Sequence, residues 1–196
     1  MKSIAIEREF GSGGRAVGKK VAELAGIPYY DSELLVKTAS EFDYSLDALK
    51  EYDERRTGSF LYDLATYANI NYDTNTQKIQ ELLYAVGETI QRLALRGPCV
   101  FIGRASTEVL RKNGLGKGVY IYSSDNGKKI QRIMETERVS EPEAKRLMDK
   151  KDRDRKNFYR TCTEKNWSDR KNYDLEINMA NFTVQESARI IMAILK

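Results

Sequence analysis

Gly11, Ser12, Gly13 and Gly14, followed at once by Arg15 and Ala16, have the composition and spacing of a polyanion site. Glycines let successive backbone N–H groups converge on one point, and a helix starting there adds a positive partial charge. Phosphate is the guest such a cup receives. The pattern G-x-x-x-x-G-K-[ST] is not met. No lysine follows the last glycine, and Ala16 stands near the place of the hydroxyl that would hold magnesium. Arg15 is the substitute cation, and its planar fork grips phosphate through two N–H groups where an ammonium acts as a point charge. Ser12 offers a hydroxyl from a shifted position. Residues Gly11, Ser12, Gly13, Gly14, Arg15 and Ala16 are therefore the expected phosphate cup; the competing reading is a tight strand-to-helix turn.

The flanking pattern positions this turn. Ser3 to Ile6 is β-prone, and Val17, Val21, Leu24 and Ala25 recur at helical spacing after the glycines, so the segment reads strand, glycine loop, helix. Gly26 closes the helix, IPYYD is extended, and Ser32 to Ala39 starts a second helix with Asp31 as its N-cap. A polar helical stretch runs from about 41 to 95. Its last part, Thr76 to Leu95, is amphipathic. Cys99 to Ile102 is a buried strand followed by Gly103 and Arg104 and a helix to about Arg111; Gly118 to Tyr122 is another strand, with a helix from Asn126. Glu137 to Arg160 is helical and dense in charge, Cys162 to Asp169 is a loop anchored by Trp167, Leu175 to Asn178 is the last strand, and Gln185 to Leu195 is a closing helix. Short apolar strands alternating with helices specify a parallel sheet in an α/β fold.

Composition narrows the chemistry. With no histidine in 196 residues, hydrolases built on a histidine base, histidine zinc sites and imidazole proton shuttles are excluded. Cys99 and Cys162 lack metal spacing, which fits a reducing compartment. No run of about 18 apolar residues exists, and MKSIAIEREF alternates like a strand, so a cytoplasmic protein without membrane contact is expected. A net charge of +4 is small, and the basic residues gather between Lys145 and Arg170.

Taken in order, three segments resemble the cytidylate kinase family, and more closely the cytidylate kinase-like proteins. These are IEREFGSGGRAVGKKVAELAGIPYYD at the start, Gly103-Arg104 after a buried strand, and KKDRDRKN. The resemblance spans nearly the whole chain. It implies a P-loop NTPase-type three-layer sandwich over residues 1–196, with a short parallel sheet, a helical acceptor-binding insertion at about 41–95 and a helical lid at about 126–170. It further implies ATP and Mg2+ as cofactors and a small-molecule nucleotide as acceptor, CMP or dCMP in kind. On this resemblance Asp31, Ser32 and Lys37 contact the acceptor, Lys37 standing on an arginine of the family. Arg104 binds its phosphate, with Ala105 in the place of an aspartate. Lys150, Arg153, Asp154 and Arg155 reach the base and the phosphates, with Asn157 where another arginine is expected. Arg132 belongs to the lid.

Phosphoryl transfer is mostly positioning plus neutralisation by cations arriving from several segments, and Arg15, Arg104, Arg132, Arg153 and Arg155 supply such cations here. Arg15, Arg132, Arg153 and Arg155 are the expected catalytic set; no residue is assigned to magnesium. Two other functions use the same features. The missing loop lysine and hydroxyl suit a nucleotide-binding sensor without turnover. The basic stretch suits nucleic acid, although interleaved acids make it read equally as a solvated helix face with i,i+4 pairs. The 41–95 insertion is expected to be an acceptor flap or a homodimer surface.

Overall fold

A computed structural model describes residues 1–31 and 75–195 of the chain. The expected second helix, Ser32, Lys37 and the 41–74 part of the insertion lie outside the described residues.

Among the described residues five strands form one parallel sheet: β1 (Ser3–Arg8), β2 (Tyr29–Tyr30), β3 (Val100–Ile102), β4 (Gly116–Tyr122) and β5 (Leu175–Asn178), in the order β2-β3-β1-β4-β5. β1 is central and buried on both faces. That is why Ile4, Ala5 and Ile6 form an unbroken apolar run rather than an alternating one. Its register sets Ile4 against Val100 and Ile6 against Ile102 on one side, and Ile6 against Val119 on the other.

Among the described residues six helices accompany the sheet: α1 (Gly14–Ala25), α2 (Asn75–Arg96), α3 (Ser106–Lys112), α4 (Asn126–Glu137), α5 (Glu141–Thr163) and α6 (Val184–Ala193). One face of the sheet packs Val17, Val21 and Ala22 of α1 and Ala188 and Ile191 of α6 against Ile4, Ile6, Val100, Ile102, Val119 and Ile121. The other face packs α2, α3 and α5 through Val86, Ile90, Leu93, Leu110, Phe158 and Tyr159 against Ala5, Phe101 and Tyr120. This is the expected three-layer sandwich. The helix after β1 and the helix after β3 thus lie on opposite faces, so a crevice opens between the C-terminal ends of these neighbouring strands. In open α/β sheets that crevice is the ligand position.

The sequence reading needs correction after Glu137. Glu137 ends α4, Arg138 takes a left-handed φ of 57°, and α5 starts at Glu141 behind Ser140 with Pro142 in its first turn. Ser140-Glu-Pro is a helix-start signal inside the charge-dense run, so the helix expected from Glu137 to Arg160 runs instead from Glu141 to Thr163 and forms a hairpin with α4. Trp167 anchors the loop after α5. It is buried, meets Tyr120 edge-on at 5.1 Å, and its backbone carbonyl accepts a hydrogen bond from the Tyr173 hydroxyl at 2.6 Å.

Candidate functional site

The glycine loop leaves the end of β1 and is tied first to itself. Glu9 N–H continues the sheet by donating to Ile121 O at 2.9 Å. Ser12 N–H turns back to Glu9 O at 3.3 Å, and the Ser12 hydroxyl donates to the same carbonyl at 2.7 Å while accepting from Gly14 N–H at 3.4 Å. Ser12 is fully buried, so its hydroxyl is unavailable to a metal ion. That corrects the expectation that Ser12 substitutes for the missing loop hydroxyl. Ala16 offers no oxygen either, so neither of these two residues supplies the loop hydroxyl.

Among the described residues, the N–H groups of Gly11, Gly13, Arg15 and Ala16 donate to no protein acceptor, whereas those of Ser12 and Gly14 are engaged. Of the six residues expected to form the cup, four thus keep unengaged N–H groups, two in the loop and two in the first turn of α1, whose N-terminal partial charge adds to them. Gly13 caps that helix with φ 91°.

The α4–α5 hairpin lies against this loop. Gly11 has φ +75°, and a β-carbon there would sit 2.8 Å from the Lys129 carbonyl oxygen. The Arg132 guanidinium donates to Gly11 O at 2.6 Å and covers Gly13, whose β-carbon would meet Nη1 at 3.1 Å. Lys129, buried, pairs with Glu9 at 2.9 Å. Phe10 N–H donates to Asp152 Oδ1 at 2.7 Å, and Arg155 donates to Arg8 O at 2.9 Å with its guanidinium 5.3 Å from the centre of the Phe10 ring. Burial raises the Asp152 carboxyl above the ordinary aspartate range, against the opposing charge of Arg155 and the Phe10 N–H. Arg132 and Arg155 therefore stand at the loop, while Arg153 and Lys150 are exposed on α5.

On the opposite flank, Arg15 pairs with Asp31 just beyond β2, at 2.5 Å, so it extends away from Arg132 rather than over the loop. Setting Gly13 on the second glycine of the phosphate-loop pattern puts Arg8 on its first glycine and Gly14 on its lysine. A β-carbon on Gly14 would meet the Arg8 β-carbon at 2.6 Å, so the Arg8 stem excludes any side chain in the lysine's place.

β3 ends in three successive left-handed residues, Gly103 (φ 72°), Arg104 (φ 62°) and Ala105 (φ 53°). For the two non-glycine residues this costs roughly 1–2 kcal/mol each. The strained turn directs Arg104 inward, its guanidinium 5.3 Å from the centre of the Phe158 ring. Asp154 is buried on α5. Glu7, at the end of β1, is buried and accepts from Trp167 Nε1 at 3.2 Å. Burial raises its carboxyl above the ordinary glutamate range, with Arg8 the leading opposing charge. The same cause pushes Cys99 up to about 11 and Cys162 up to about 12, which leaves both as inert thiols at neutral pH. Sequence reading did not single out Glu7, Arg8, Glu9, Phe10, Lys129 or Asp152. Of these, Arg8 had a usable signal, its place five positions before Gly13.

The family model described as the cytidylate kinase-like family matches residues 3–181. The chain belongs to the cytidylate kinase-like family. No curated protein matches it in sequence. An uncharacterized protein from Eubacterium ventriosum ATCC 27560 is 27% identical to this cytidylate kinase-like chain, with a TM-score of 0.76 over 100% of this chain and 98% of that one. Shikimate kinase from Acinetobacter baumannii, solved with shikimate, aligns at TM-score 0.55 and 15% identity over 100% of this chain and 93% of its own. A gluconokinase from Sinorhizobium meliloti 1021 aligns at 0.52 and 18% identity over 99% and 93%. The fold is that of P-loop kinases. Among the described residues no helix is long and apolar enough to cross a membrane.

Proposed function

We propose that this cytidylate kinase-like chain transfers a phosphoryl group from ATP to a small phosphorylated acceptor, a nucleoside monophosphate of the CMP or dCMP kind. One observation carries the reading: the unengaged N–H groups of Gly13, Arg15 and Ala16 at the start of α1, with the Arg132 guanidinium lying over Gly13. Amides aimed at a phosphate and a guanidinium beside it form an anion site from two directions.

The residues then divide the work. The α1 amides hold the donor's phosphates in place. Arg132, fixed by Gly11 O, keeps further N–H groups for oxygens whose charge rises as the bond to the leaving group breaks. Arg155 and Asp152 hold Phe10 and so fix the loop's shape. Arg104 waits at the acceptor side of the crevice. A monophosphate is already anionic near neutral pH, so no side chain need remove a proton from the attacking oxygen. Neither Ala16 nor Ser12 fits magnesium, and no step is assigned to it.

The test is incubation of the protein with Mg-ATP and CMP, dCMP or UMP and detection of diphosphate product; absence of product from every acceptor sinks the kinase reading. A second reading, nucleotide binding without turnover, is favoured by the loop's lack of an available hydroxyl. Saturable ATP binding with no product is its signature.

A further inference from the structure

The glycine loop begins beside a cation, Arg8, one of whose nitrogens meets no acceptor among the described residues. Arg8 Nη1 is shut off from solvent and has no hydrogen-bond partner among the described residues, while the side chain as a whole keeps partial access to solvent. A buried donor left without an acceptor costs roughly 1–3 kcal/mol, and more when it is charged. The fold accommodates the side chain nonetheless, since Gly14 lacks a β-carbon where the Arg8 stem passes. Arg8's charge acts on Glu7 of β1 and on Tyr29 of β2, and β3 lies between these strands. The Arg8 stem lies against Gly14 in the first turn of α1, at the C-terminal end of β1 where the crevice opens. Arg15 reaches the same corner, where Asp31 is its partner. Among the described residues the charges here are the guanidinium groups of Arg8 and Arg15 and the carboxyls of Asp31 and Glu7, with Glu7 enclosed on the Trp167 side of β1.

We infer that Arg8 anchors the oxyanion of the acceptor, with Arg15 as its neighbour and Asp31 as the counter-ion that holds Arg15 in place until the acceptor arrives. The inference rests on the proposed function and adds a residue to it. An arginine fork supplies the two parallel N–H groups that a phosphate monoester takes. It also explains why the loop has glycine at position 14: the space that a loop lysine's stem would fill belongs to Arg8.

The experiment titrates CMP and cytidine, which differ by the phosphate alone, into the intact chain carrying a non-transferable ATP analogue. The analogue's own binding is measured first. If it does not bind, that failure falls on the donor-loop reading, and the titrations are run on the free chain. The wild type is expected to bind CMP at least about tenfold more tightly than cytidine. In Arg8→Met, which keeps the stem against Gly14, CMP is expected to fall to the level of cytidine while the analogue stays within about twofold of wild type; Arg8→Lys is expected to lie between. Arg8 Nη1 bonds no group among the described residues but its charge opposes the burial of Glu7, so the thermal midpoint of ligand-free Arg8→Met is expected to stay near that of wild type. If Arg8→Met does not fold, Arg8→Lys takes its place in the titration. Equal CMP affinity in wild type and variant overturns the inference, as does a wild type that binds CMP and cytidine alike. A lowered midpoint with CMP binding intact makes Arg8 a structural residue and overturns it as well.

Discussion

The two flanks of the glycine loop are built on opposite principles. Facing α4 and α5, the polar groups of residues 8–11 meet protein partners: Glu9 has Lys129, Gly11 O has Arg132, Phe10 N–H has Asp152 and Arg8 O has Arg155. Facing β2, among the described residues, Arg8 keeps a nitrogen without an acceptor and Arg15 is held by Asp31 beside Tyr29. A satisfied network fixes geometry; an unsatisfied one stores a demand that a ligand can meet. The first flank is the scaffold that shapes the loop, and the second is where an anion gains most by arriving.

The contrast breaks most severely if the scaffold is pried from the loop. Gly11→Ala puts a β-carbon 2.8 Å from a backbone oxygen of α4 at a left-handed φ, so neither partner can yield cheaply. A loss of roughly 3 kcal/mol in unfolding free energy is expected, read by denaturant titration. Next comes Arg132→Ala, which should weaken ATP binding by at least about tenfold and leave the fold standing, with lysine recovering only part of the loss. Calorimetric titration with ATP checks it. Unchanged ATP affinity would place Arg132 wholly within the scaffold.

Much of this layout was legible in the residues. The unbroken apolar run of β1, the glycines and the periodicity of α1 left little alternative to strand, loop, helix, and Leu175–Asn178 agrees to the residue. What escaped were pairings across long stretches of chain. Nothing near Phe10 announces that its N–H meets a carboxylate 142 positions later, and Arg8 reads locally as the polar end of a strand. Arg15 seemed the loop's cation because it follows the glycines, yet side-chain direction within the first turn carries it to Asp31. Sequence spacing gives adjacency along the helix; which flank a long side chain joins depends on where its counter-charge folds.

Asp152 sharpens the comparison at smaller scale. Asp152→Ala leaves Phe10 N–H without its acceptor and should cost roughly 1–3 kcal/mol. Asp152→Asn keeps an oxygen there and should cost less. The pH dependence separates the two properties of this side chain. Its carboxyl is raised in the folded state, so the native protein holds the proton longer than the unfolded chain as pH rises. Wild-type stability from this group is therefore fully present below the ordinary aspartate range and declines as pH climbs through the raised folded value. Asp152→Asn should lack that decline, measured as unfolding free energy across the acid range.

The smallest effect, one expected to favour the variant, belongs to Glu7. This carboxyl is enclosed at the end of β1, with Trp167 Nε1 on one oxygen and the other without a partner among the described residues. Burial raises it in spite of Arg8, so folding at neutral pH must either bury a charge or take up a proton that the unfolded chain does not hold. Glu7→Gln removes that requirement while its carbonyl oxygen still accepts from Trp167. The variant should match or exceed wild-type stability near neutral pH, and its advantage should shrink as pH falls through the raised value to the ordinary glutamate range, where both side chains are neutral. A variant that is less stable at neutral pH would mean that ionised Glu7 is held by Arg8 strongly enough to outweigh its burial. Arg8 would then belong to the scaffold flank, and the division between the two sides of the loop would fail at the residue on which it most depends.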